Sequence, residues 1–188
     1  MVISDNHVNK QKNNYRLLIF NVLAALILVF IQQGLLTGLP FGLASLNLSL
    51  VALIFILVFT DLEVAFYWAV GLGFLLDLFT FYPFGAHLLS FGLTLLAAFL
   101  LLEKFFTNRS LYSFLALITA ASVFYQLFLL ITAGLINLFT GAAGVDLGIN
   151  FWLFAGRELV FNLAAAIAIY YFQNFLSNRL KPVFLQKI

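Results

Sequence analysis

Asp77 stands in the stretch GLGFLLDLFTFYPFGAH, Gly71 to His87, and is the only charged residue between Glu63 and Glu103. An ionised carboxylate at the centre of a membrane helix costs about 2.5–3.5 kcal/mol, so a chain that keeps one there gives it something to do. It could pair with a cation, bond the following TFYPFG loop, hold a partner protein, or carry a ligand or proton. Two candidate partners occur in comparable settings, His87 and Arg157. Arginine is always charged and binds a carboxylate through two parallel hydrogen bonds, so an Asp77–Arg157 contact is expected, with His87 as the alternative. Glu158 could also meet Asp77 across helices, but Arg157 beside it favours a charge network over a shared proton.

Other chemistry finds few residues to carry it. Asp61 and Glu63 lie about a bilayer away from Asp77 and make no acid pair with it. No nucleophile is placed beside a base in a hydrolase-type motif, so no enzyme is expected. His7 and His87 are far apart and lack further ligands for a metal, and there are no cysteines for thiolate chemistry. Gly71 and Gly73 lie inside an apolar run with no strand before them, so they suit helix packing better than a nucleotide loop. No cofactor and no nucleic-acid partner is implied.

The elements that must position these residues belong in lipid. The 188 residues are 64% hydrophobic and 9% charged, with a mean hydropathy of +1.12, whereas a water-soluble domain carries about 25% charge. The expected class is an all-α integral membrane protein. Six apolar runs can be drawn, at 16–36, 43–59, 64–81, 84–102, 111–139 and 152–176, separated by charge, proline or glycine clusters. The first reads as a retained anchor, since its apolar core exceeds that of a signal peptide.

With six crossings, Lys10, Lys12 and Arg16, then Lys104 and Arg109, then Arg179, Lys181 and Lys187 fall on one side, leaving Arg157 alone toward the other. The positive-inside rule then puts both termini in the cytoplasm. The division is a polar tail at 1–15, a six-helix transmembrane domain at 16–178 and a basic tail at 179–188.

Within the third run, Ala65, Ala69, Gly73 and Asp77 recur every four residues. Small residues at that spacing let a neighbouring backbone approach, so Asp77 is expected to face the bundle interior. Ten Leu, Val and Phe residues from Val64 to Phe81 return roughly 3–6 kcal/mol on insertion, enough to carry the acid into the membrane. In the sixth run, NLAAAIA (162–168) offers a second small-residue surface for helix packing or a partner helix.

LNLSLVALIFILVF (46–59), followed by Gly73, Asp77, Leu78, Pro83, Gly85 and His87 over 71–101, resembles the rod shape-determining MreD family. The shared pattern is a leucine-rich second span, a glycine-rich third span ending in G-x-x-x-D-L, and P-x-G-x-[HN] opening the fourth. Asn47 stands where that family often has Pro-Asp. The resemblance implies a non-enzymatic, multi-pass protein of the bacterial inner membrane. Its partner would be an MreC-like membrane protein and, through it, MreB filaments and the glycan-polymerising and cross-linking enzymes that make peptidoglycan and set cell shape. It makes Gly73, Asp77, Pro83, Gly85 and His87 structural or partner-binding positions to watch, and Arg157 joins them as the expected partner of Asp77. That family is similar in fold to the substrate-binding components of energy-coupling-factor vitamin transporters, which sets the competing expectation of a small-molecule-binding subunit. Against it, Ala24 and Ala25 lack the A-x-x-x-A spacing such components use for docking, and the outward loops lack polar clusters.

Overall fold

The computed structural model describes residues 19–39, 42–105, 111–140 and 149–184. The polar start of the chain and the last four residues of the expected basic tail lie outside these. The described residues form helices and connections, with no strand among them. We number the helices α1 (Ile19–Leu35), α2 (Leu48–Phe59), α3 (Leu62–Phe79), α4 (Ala86–Lys104), α5 (Leu111–Thr140) and α6 (Ile149–Phe184). Four of them, α3 to α6, are long and apolar enough to cross a membrane. The chain is thus a multi-pass membrane protein by its helices.

The two remaining helices are shorter. The run at 43–59 does not form one helix: a 3-10 turn at Leu43–Ser45 and an extended Leu46 precede α2, which starts only at Leu48. Asn47 sets that start, because its side chain accepts a hydrogen bond from the Leu50 N–H. The resulting 12 residues make a rod about 18 Å long, short of about 30 Å of hydrocarbon. Instead α2 is the axis of the bundle, touching α3, α4, α5 and α6. Leu50, Val51, Leu53 and Ile54 are completely buried on it, too wide an arc for a helix at the rim. At the other extreme, α6 runs on to Phe184, so the helix continues past the expected boundary at 178.

Packing inverts the size pattern of a soluble helix. On α3 the buried residues include Ala65, Ala69, Gly73 and Asp77, while Phe66, Tyr67, Phe74 and Phe79 face outward. In lipid there is no hydrophobic gain in hiding phenylalanine, so the small residues go where backbones must approach and the bulky ones meet the acyl chains. Asp77 faces inward with the small stripe, as the four-residue spacing predicts.

Candidate functional site

Asp77 lies two residues before the end of α3, where the dipole of its own helix disfavours an anion. Its neighbour reverses that balance. Oδ1 accepts the N–H of His87 at 2.8 Å, and Oδ2 accepts the N–H groups of Gly85 at 3.0 Å and Leu88 at 3.1 Å. These are the orphan donors at the start of α4, and they carry the positive end of that helix dipole. The carboxylate is therefore neutralised by a helix terminus supplied by the next segment of the chain. This is the loop-bonding alternative for Asp77, and it displaces the expected Asp77–Arg157 contact.

Arg157 is exposed, lies against Gly42, and donates through Nε to its own helix at Leu153 O, 3.3 Å away. It is not among the hydrogen-bond partners of Asp77. Arg157 and Glu158 are successive residues of one helix and so point about 100° apart; turning Glu158 into the bundle swings Arg157 out.

The other expected positions converge on the α3–α4 joint. Gly85 holds a left-handed φ of +94°, which lets the chain turn so that its own N–H and that of His87 reach the carboxylate. Pro83 contributes its carbonyl, which accepts the Ala86 N–H at 3.0 Å. Gly73 provides the close approach: a Cβ there would sit 2.6 Å from the Leu88 Cα. His87 packs edge-on to Tyr82, with ring centroids 5.2 Å apart, and its Nδ1 lies 2.7 Å from the Tyr125 hydroxyl on α5. Next to it, Ser90 Oγ and Thr132 Oγ1 meet at 2.9 Å, a second polar tie between α4 and α5.

A second buried cluster centres on Glu158, which is 2% exposed. The Asn47 side-chain amide donates to its Oε1 at 3.1 Å, and the Gln126 amide donates to Oε2. Asn47 also donates its backbone N–H to Asn162 Oδ1 at 2.9 Å, and Asn162 in turn donates to Ser122 Oγ at 3.0 Å. One asparagine thus caps α2 and fastens it to α6. Neither an acid pair of Glu158 with Asp77 nor a charge network with Arg157 is formed; amide donors satisfy Glu158 instead.

Both clusters open onto one cavity of about 640 Å³, lined in part by Gln32, Asn47, Thr80, Tyr82, His87 and Glu158. Gln32 belongs to a π-helical turn, Ile31–Leu35, at the end of α1, and its Oε1 accepts the Ser49 N–H at 2.8 Å. Burial, and secondarily the negative charge of Glu158, push the Tyr82 phenol above its ordinary pKa. The polar lining comes mainly from the ends and interiors of helices rather than from polar loops, which is why scanning the connections did not find it. A usable signal exists in the helices: Ser122 and Gln126, and Glu158 and Asn162, each stand four apart in otherwise apolar runs and so share a face. No protein-family model, curated protein or solved structure matches the chain.

Proposed function

We propose that this chain is a non-enzymatic scaffold of the bacterial inner membrane, of the rod shape-determining MreD type. It binds an MreC-like membrane protein and thereby links MreB filaments to the enzymes that polymerise and cross-link peptidoglycan. The observation that supports this reading is the convergence of Gly73, Asp77, Pro83, Gly85 and His87 on the single α3–α4 joint. Residues that carry the resemblance as scattered letters are members of one structural device. At that joint Phe81 is fully exposed and Phe84 largely so, an apolar rim suited to a partner's membrane-proximal segment.

In this reading α1, and α2 together with the 3-10 turn and extended Leu46 that precede it from Gly42, complete six passages through the membrane, with both termini cytoplasmic. Accessibility of single cysteines at positions 5 and 187 to a membrane-impermeant reagent tests the orientation: labelling of either in intact cells contradicts it. The partner assignment is tested by co-purification with an MreC-like protein. Wild type is expected to retain it, and the Phe81→Ser, Phe84→Ser double variant to lose most of it while still folding. Depletion should round rod-shaped cells. Failure of capture together with unchanged cell shape overturns the scaffold reading.

A second reading, a solute-binding membrane subunit, is favoured by one observation, the polar-lined cavity of about 640 Å³ among the helices.

A further inference from the structure

We propose that the cavity bounded by Glu158, His87 and Tyr82 is a binding site for a small organic ammonium group. The inference stands on the geometry of the cavity and holds whichever partner the α3–α4 joint binds.

The first ground is unfinished hydrogen bonding. His87 is 5% exposed, with Nδ1 engaged by Tyr125, yet among the described residues its Nε2 has no hydrogen-bond partner. Thr80 Oγ1 is in the same position, and both residues line the cavity. Buried polar atoms are paired in the great majority of cases, so two unpaired ones, each just behind the surface of the cavity, leave this wall with incomplete hydrogen bonding.

The second ground is charge. Glu158 brings a carboxylate to the cavity wall, and each of its oxygens faces an amide NH2 group, from Asn47 and from Gln126. The Asn47 assignment is fixed by its Oδ1, which is already used to cap α2, so its NH2 must be the group that meets Glu158. The two amide groups fix the Glu158 carboxyl group in place at the cavity wall. None of the described lining residues is a lysine or arginine, and Arg157 turns away from the cluster. An anion entering the cavity would meet Glu158 with no basic side chain to offset it, whereas a cation would find a carboxylate of opposite sign.

The third ground is the rest of the wall. Tyr82, Tyr125, Phe151 and Phe154 contribute aromatic rings, whose faces attract an alkylammonium in a water-poor setting. A carboxylate with several rings around it suits a cation that carries methyl or methylene groups better than a metal ion, for which a single carboxylate offers too few hard ligands.

The test uses the full chain purified in dodecyl maltoside, which carries no amine. Binding of tetramethylammonium is measured by saturation-transfer NMR beside its neutral and anionic shape analogues, tert-butanol and trimethylacetate. Tetramethylammonium is expected to bind, trimethylacetate not to bind, and tert-butanol to bind at least about tenfold more weakly. Glu158→Gln should lower tetramethylammonium affinity about tenfold or more, and Phe154→Leu, at a partly exposed ring, about threefold through loss of one cation–π face. The unfolding temperature of each variant is recorded beside its affinity, and Phe154→Leu keeps the test decisive if Glu158→Gln does not fold. Adding phosphatidylethanolamine then separates the sources of the amine: competition identifies a lipid headgroup, and absence of competition a free solute. Equal binding of all three shape analogues, undiminished binding in both variants, or no binding of tetramethylammonium by wild type overturns the proposal. So does occupancy of the cavity only by a lysine side chain of a partner protein.

Discussion

The Asn47 side-chain amide reaches Glu158 Oε1 at 3.1 Å across 111 residues of sequence, and so joins the start of α2 to the middle of α6. Replacing Asn47 with aspartate preserves the cap on α2 but sets a second carboxylate against Glu158. We expect Asn47→Asp to destabilise the protein by about 2–4 kcal/mol, and Glu158→Gln in the same chain to restore at least about 1 kcal/mol of it by supplying an amide donor. Thermal unfolding of the wild type, the two single variants and the double variant measures this coupling.

Asp77→Asn removes the charge that three N–H groups share and turns an NH2 group toward them. Hydrogen bonds to a charged group contribute about 1.5–3 kcal/mol, so a loss of about 2–3 kcal/mol is expected. Arg157→Leu, at an exposed side chain that among the described residues bonds its own helix, should change stability by less than about 0.5 kcal/mol. Equal losses for the two variants would restore the ion pair that the geometry displaces.

Gly73 and Gly71 separate packing from helix propensity. A Cβ at Gly73 would lie 2.6 Å from the Leu88 Cα, whereas one at Gly71 would meet nothing within 4 Å. Since backbone cannot step aside as a side-chain tip can, Gly73→Ala should cost about 2–3 kcal/mol, while Gly71→Ala should be neutral or slightly stabilising. Steric trapping or denaturation in mixed micelles gives both values.

Ser90 and Thr132 tie α4 to α5 at 2.9 Å, but each hydroxyl also bonds a backbone carbonyl of its own helix. Each therefore keeps a partner when the other is removed. The Ser90→Ala, Thr132→Val double-mutant cycle should give a coupling of only about 0.6 kcal/mol, the usual size for a hydrogen bond between membrane helices.

The apolar runs from 64 onward predict α3, α4 and α5 closely and the middle of α6, whose helix runs on beyond the apolar stretch, and the small-residue stripe places Asp77 on the inner face. Hydropathy reads these features because lipid selects composition and spacing directly. The shortness of α2 escaped it: Ser45, Asn47 and Ser49 leave the run 43–59 apolar on average, and the helix is trimmed by one capping side chain and an extended residue before it. The partner of Asp77 escaped it too, because the donors are backbone N–H groups, which every residue owns and no letter announces. Reasoning over side chains alone chose Arg157 for its charge; a helix start provides the same sign without any basic residue. The Glu158 cluster draws on three separate stretches of chain, and only the helix faces at 122–126 and 158–162 hint at it.

The first turn of α4 is fastened by a side chain of α3 and pressed onto Gly73, with a turn of only a few residues between them. Until α3 is in place, the opening amides of α4 lack their acceptor, and until α4 follows, the acid of α3 has nothing to neutralise it. Each rod is apolar enough to enter the bilayer, but each keeps an unmatched polar end until the other arrives. The two are best inserted together, as a prefolded hairpin around which the rest of the chain assembles.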